Sequence, residues 1–433
     1  NHYIFLNLEN SRIFIHFMVG TVLAANNFKF YYWEVKMNKT EFLDKYLIER
    51  RGTNSLKWDA LDVRFGNPNL TAMWVADMEF KTPEVVLSAM IERVKHGIFG
   101  YSIVPDSYYD AVSGWHKRRH NSEVRNEWIR FAPGVVSAIY WLVNAFTKIN
   151  DSILILTPVY YPFHNAIKDN NRKLIRSELI NDNGKYSIDF DDFEKKIKDN
   201  DVKLFIQCSP HNPVGRVWTE EELEKVLKIC TENNVLVITD EIHQDIIVGD
   251  KKFIPSSLID GGKYMNNMIT LSSASKTFNL ACLLNAHIII YNKEIRDKYD
   301  AFSKTVNQSE VNIMGLVATE AAYTYGEDWV EGLLSVIKSN FEYLKKELKQ
   351  HAPKIVIAEL EGTYLTWLDM RAYIDPEDIK DVIQDKCGIA IDFGEWFSDQ
   401  CKGFIRINLA TDPRNVKKSV EAIIEYIKLG GKI

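Results

Sequence analysis

An amine, a carboxylate and an amide end three separate apolar runs in this chain. Lys276 lies in Ser272-Ser-Ala-Ser-Lys-Thr-Phe-Asn279, directly after Met268-Ile-Thr-Leu271. A lysine that leaves a buried strand among small hydroxyl residues suits an amine that forms a Schiff base. The Ser273 and Ser275 hydroxyls and the N–H groups of the turn suit a phosphate. A Ser-Lys pair is also an ordinary way to leave a strand, so the upstream runs decide. Val235-Leu-Val-Ile-Thr239 ends in Asp240-Glu-Ile-His243, and Leu204-Phe-Ile-Gln-Cys208 ends in Ser209-Pro-His-Asn-Pro-Val-Gly215. In an open α/β sheet, ligands bind at the carboxyl ends of the strands. An acid for a pyridine nitrogen (Asp240), a donor for a ring hydroxyl (Asn212) and a lysine for an aldehyde (Lys276) are what pyridoxal 5'-phosphate (PLP) requires of a protein. Asn-Pro-x-Gly is also a turn signal, and Asn212 is compatible with both roles.

Those groups need a scaffold, and the hydrophobic pattern supplies one. Strands are expected at 153–156, 173–179, 204–208, 235–239, 268–272 and 287–291. Helices are expected at 84–95, 106–115, 135–146 and 220–232. Strands alternating with helices predict a three-layer α/β/α domain around a mainly parallel sheet. A long helix over 328–350 then leads to strands at 355–360, 363–369 and 403–408 and a helix at 376–386, a smaller α+β domain. The expected division is 37–80 as an N-terminal segment joining the small domain, 81–327 as the large domain and 328–433 as the small one. Residues 1–36 are expected to be a non-native or poorly ordered extension. Ile13–Ala25 imitates a signal peptide but is too short to span a bilayer, and Met37 reads as a more natural start.

The bulk properties narrow the classes of function. The 433 residues, 46% hydrophobic and 26% charged, suit a soluble globular enzyme. A net charge of −6 argues against nucleic acid. Five dispersed cysteines without C-x-x-C suggest neither a zinc site nor a disulfide framework, and they fit a reducing cytoplasm. His116 and His120 have metal-like i,i+4 spacing, but they flank Lys117-Arg-Arg119 and read as a solvated basic face. No metal site and no membrane contact is expected.

Ser-Pro-x-Asn-Pro-x-Gly, Asp-Glu-x-His and Ser-x-Ser-Lys, in this order, resemble the fold-type I PLP enzymes of the aspartate aminotransferase superfamily. Met73-Trp-Val-Ala-Asp-Met-Glu-Phe80, His96-Gly-Ile-Phe-Gly-Tyr101 and Val217-Trp218 are similar to the cystathionine β-lyase / cysteine-S-conjugate β-lyase branch. The likeness runs from about Tyr46 to the C-terminus. It implies that Tyr160 stacks on the pyridine face, with Tyr161 and Phe163 as competitors. It implies that His243 bonds the ring hydroxyl or Asp240, and that Arg406 grips the substrate carboxylate with a backbone contact from Ala76. Tyr101 would reach the phosphate of a neighbouring subunit, making a homodimer. The phosphate is expected at the start of the 135–146 helix, on backbone N–H groups of Val135 and Val136, with Ser273 adding a hydroxyl. Leu283 and Leu284 stand where many family members carry a phosphate-holding arginine. The lyase branch tends to lack that arginine, and the branch's usual residues near Cys282 and Glu361 are also replaced.

The expected activity is β-elimination on L-cystathionine or a related cysteine S-conjugate, giving pyruvate, ammonia and a thiol such as homocysteine. An aminotransferase for aromatic or apolar amino acids also needs Lys276, so the motifs do not decide between the two, and it is the alternative. A PLP-sensing regulator would need a basic DNA-binding module, and the first 36 residues offer only Arg12, Lys29 and Lys36.

Overall fold

The computed structural model describes residues 37–307 and 311–430, so the expected extension at 1–36 lies outside the described residues. A seven-stranded sheet runs in the order Ile129–Ala132, Ala286–Ile290, Met268–Ser272, Leu236–Asp240, Val202–Cys208, Ser152–Thr157, Lys173–Glu178. Ala286–Ile290 is antiparallel to both of its neighbours, and the remaining pairs are parallel. The central strands are continuous apolar runs because both faces are covered. Ile153 and Ile155 pack with Leu204, Ile206, Ile238 and the helix Val135–Phe146 on one face. Leu154, Leu156, Phe205 and Val237 pack with Leu223, Val226 and Leu227 of the helix Glu220–Glu232 on the other. This alternation is the pleat of a strand buried on both sides.

The helix Glu327–His351 carries the chain to a four-stranded antiparallel sheet, ordered Val356–Ile357, Leu365–Asp369, Phe404–Asn408, Asp392–Phe393. The first of these strands is shorter than the pattern predicts. Glu361 and Gly362 turn their N–H groups onto the Gly215 carbonyl, Val248 and Gly249 donate to Glu361, and Thr363 donates to Ile246, so 361–363 bonds to the Asn-Pro turn and to the 246–249 segment. The N-terminal segment packs here too. Thr71–Ala72 pairs in parallel with Ile389–Ala390, and the helix Lys39–Tyr46 lays Phe42 against Trp329 and Phe80.

One surface expectation changes. The helix Asp106–His120 is not a solvated basic face at its end. His116 and His120 are buried, and Arg119 pairs with Glu331 at 2.7 Å. The apolar side of Glu84–His96 is only partly covered within the chain, since Val86 is buried while Val85, Ile91 and Val94 are exposed.

Gly332 sits where the long helix meets Phe42, and a Cβ there would come within 2.5 Å of the buried ring. Gly332→Ala gains up to about 1 kcal/mol of helix propensity but overpacks a closed contact, which costs about 1–3 kcal/mol. The expected result is a lower urea midpoint with an unchanged m-value.

Candidate active site

Three neighbouring parallel strands end at one cavity. Cys208 lies opposite Asp240, and Asp240 opposite Leu271, so the residues that follow all emerge on the same edge. A cavity of about 170 Å³ is lined there by Asn212, Asp240, His243, Ser273, Ser275 and Lys276. Ala76, Tyr160, Cys208, Asn285 and the stretch Pro133–Ser137 complete the wall.

The Lys276 amine donates to the Ala76 carbonyl at 2.7 Å, and the Tyr364 hydroxyl donates to the same oxygen at 2.9 Å. Burial lowers the Lys276 pKa to about 8, opposed by Asp77 and Asp240 and assisted by Arg406. The Ala76 carbonyl thus receives the lysine amine in the ligand-free protein. Ala76 belongs to an irregular stretch that is stapled from two sides. Asn279, three residues after the lysine, accepts from the Met78 N–H at 3.1 Å and donates to the Met78 and Phe80 carbonyls at 3.0 Å each. Its φ of +59° lies in a region that asparagine tolerates. Asn408, two residues after Arg406, donates to the Val75 and Asp77 carbonyls at 2.7 Å each.

Asp240 is buried, and its carboxylate accepts the Ile242 N–H at 3.1 Å. Burial raises its pKa to about 7, with the Ile242 bond and Lys276 pulling the other way. His243 is held well below the usual histidine range by burial and by the charges of Lys276 and Arg406. Its Nδ1 is buried without a hydrogen-bond partner, and no bond to Asp240 forms among the described residues. Asn212 accepts from Arg406 Nη1 through its amide oxygen at 3.0 Å, which leaves the NH₂ group for the cavity. The ring of Tyr160 lines the wall. Tyr161 packs towards Trp396 and Phe397, and Phe163 lies in the core.

The helix Val135–Phe146 begins at the cavity with Gly134 as its N-cap and no side-chain cap. Val135, Val136 and Ser137 thus present first-turn N–H groups that no helical carbonyl can take. Ser273 lines the same end, but its hydroxyl donates to the Asn285 carbonyl and accepts from the Ser275 N–H. It shapes the turn as well as facing the cavity. Arg406 lies behind the wall, not in it, and Tyr101 is 98% exposed and away from the cavity.

Beneath the site lies a buried group that the local sequence conceals. Asp245 accepts from His120 Nε2 at 2.8 Å, from Trp115 Nε1 at 3.2 Å and from the Thr277 hydroxyl at 2.7 Å. Burial alone would raise its pKa, and these bonds with the nearby charges bring it below the usual carboxylate range. Thr277 follows Lys276 directly, so Asp245 anchors the lysine turn to the helix Asp106–His120.

An amine, a carboxylate and an amide at the carboxyl edge of a doubly covered α/β sheet, with a helix start opposite, define a site for an anionic, electron-withdrawing aromatic ligand. The chain belongs to the aminotransferase class I and II family, whose profile matches residues 69–423. It is 38% identical to cystathionine beta-lyase PatB of Bacillus subtilis over 83% of this chain and 93% of that relative. Among solved structures, it resembles the PLP-bound C-S lyase from Staphylococcus hominis, with a TM-score of 0.83 and 36% identity over 91% of this chain and 99% of that one. Cystalysin from Treponema denticola, which contains a pyridoxal 5'-phosphate cofactor, matches with a TM-score of 0.84 and 34% identity over 91% and 98% of the two chains.

The raised pKa of Asp240 has a thermodynamic sign. The folded state binds its proton more tightly than the unfolded state, so stability falls as pH rises from the unfolded value through about 7. In the ligand-free protein, Asp240→Asn is expected to raise stability at pH 8, on the order of 2–4 kcal/mol, and to change it little at pH 4. Thermal melts of parent and variant at the two pH values check this.

Proposed function

We propose that this chain is a PLP-dependent carbon–sulfur lyase that cleaves L-cystathionine or a related cysteine S-conjugate to pyruvate, ammonia and a thiol. The observation that carries the reading is the convergence of Lys276 and Asp240 on one cavity that opens onto the uncapped start of Val135–Phe146. The residues fit the cofactor group by group. A buried carboxylate whose ionisation is penalised, Asp240, calls for a cation such as a pyridinium nitrogen. The NH₂ group of Asn212 and His243, whose Nδ1 has no hydrogen-bond partner, would be the residues to meet a ring substituent. Tyr160 offers a flat wall, and the N–H groups of Val135, Val136 and Ser137 suit a phosphate. Bound there, PLP supplies an electron sink for the carbanion formed at Cα.

The chain's own groups do the rest. Lys276 would hold the cofactor until substrate arrives. Its amine, whose pKa burial lowers in the ligand-free protein, is the base placed to accept the Cα proton. Ala76 and Tyr364 fix where that amine rests. Arg406 orients the substrate through its carboxylate, since a guanidinium forks onto two oxygens. Loss of the thiolate from Cβ follows, and water completes the balance to pyruvate and ammonia. The relatives named as β-lyase and C-S lyase favour elimination over transamination.

A homodimer is part of the proposal. Val94, Ile98, Phe99, Tyr101 and Ile103 are exposed on one short stretch, an apolar surface that a second subunit would cover. Sedimentation of the parent is expected to give twice the chain mass, and Phe99→Glu to give monomer. Free thiols at all five cysteines support a reducing compartment. Among the described residues, no helix is long and apolar enough to cross a membrane.

The activity test supplies purified protein with PLP and L-cystathionine and no keto acid. Pyruvate and thiol are expected in equal amounts, and Lys276→Ala should remove both, a loss of at least about 10³-fold. Turnover that appears only when a keto acid is added would move the protein to the aminotransferases.

A further inference from the structure

Arg406 already has a carboxylate. Asp392 and Arg406 face each other in register across the strand pair Asp392–Phe393 and Phe404–Asn408, and each is 2% exposed. The Arg406 Nη2 donates to the Asp392 carboxylate, Nη1 donates to Asn212, and Nε is buried without a partner. The Phe397 ring lies 5.0 Å from the guanidinium carbon and closes another side. The pair is adjacent to the cavity, because Asn212 in the wall is the residue that accepts from Arg406. Burying a lone guanidinium is costly, so an internal counter-ion is a reasonable way to keep it folded. That counter-ion has the chemistry of the group the arginine is meant to recognise.

We propose that Asp392 is a specificity-determining residue, an internal carboxylate that the substrate carboxylate must displace from Arg406 or share it with. The proposal rests on the reading that Arg406 takes the substrate carboxylate. It follows that affinity for amino acids is a difference between two carboxylate contacts, not the strength of one. If the substrate carboxylate shares the arginine, the cluster gains a net negative charge in a poorly solvated place. If it displaces Asp392, a buried carboxylate loses its partner. Either path weakens binding of any ligand that offers Arg406 nothing more than a carboxylate. An amine without a carboxylate never enters that competition.

The test uses the PLP-loaded enzyme and follows cofactor absorbance during titration with L-alanine, which has no leaving group at Cβ, and with ethylamine, which lacks the carboxylate. Asp392→Asn keeps the size and removes the charge. It is expected to lower the Kd for L-alanine by about tenfold or more and to leave the Kd for ethylamine unchanged. The KM for L-cystathionine should fall in the same variant without a rise in kcat. An L-alanine Kd that is unchanged or raised, or a parallel shift for both ligands, overturns the proposal. Asp392→Ser is the second variant. If neither variant binds PLP, Asp392 is needed for folding and the proposal is likewise overturned. Arg406→Ala separates the two layers of the argument. If it leaves L-alanine binding intact, the carboxylate assignment itself fails and the role of Asp392 falls with it.

Discussion

Asp240, Asp245, Asp392 and Arg406 are buried away from bulk water and Lys276 is half-buried, and a charge without solvent must find its partner inside the fold. The molecule answers that constraint differently at each position. Asp245 is given three donors from two elements. Arg406 is given Asp392 and the amide oxygen of Asn212. Lys276 is given a backbone carbonyl, which accepts a hydrogen bond without fixing the charge state. Asp240 is given one backbone N–H and little else. The groups with the fewest internal partners are those that face the cavity, and the fully satisfied carboxylate lies behind it. This gradient is what separates chemistry from support here.

The support converges on the stretch from Val75 to Phe80. Asn279 comes to it from the lysine turn and Asn408 from the arginine strand, so two parts of the chain that are remote in sequence grip one piece of main chain. Arg50 adds a pair to Asp77 and a bond to the Met78 carbonyl. The carbonyl that receives Lys276 lies within this grip. The resting place of the amine is thereby fixed by side-chain amides, on a segment with almost no regular secondary structure of its own.

Much of this was legible in the sequence. Continuous apolar runs mark strands covered on both faces, and the polar residues at their ends mark the edge where a ligand sits. The helix Val135–Phe146 has the expected bounds, and Lys276, Asp240, Asn212, His243 and Tyr160 meet at one cavity. The misses have physical causes. The helix Ile313–Tyr325 is packed by the helices on either side of it and buries Gly315, Leu316, Ala318, Ala321 and Ala322, so it lacks the polar face that gives a helix away. His116 and His120 look solvated beside Lys117-Arg-Arg119, because the partner that buries His120 is Asp245, far along the chain. Asn279 and Asn408 act on backbone atoms, which carry no residue identity to read. Asp392 is one acid among many until the register of two strands sets it opposite Arg406.

The grip on Val75–Phe80 also sets a schedule for biosynthesis. Asn408 donates its backbone N–H to the Met73 carbonyl and its amide to two carbonyls just beyond, joining residues made early to residues made late. The main sheet and its lysine turn leave the ribosome well before that. The perch of the lysine amine is therefore finished only after position 408 has been translated. Until that position is in place, the lysine turn lacks the second of the two grips on its resting carbonyl.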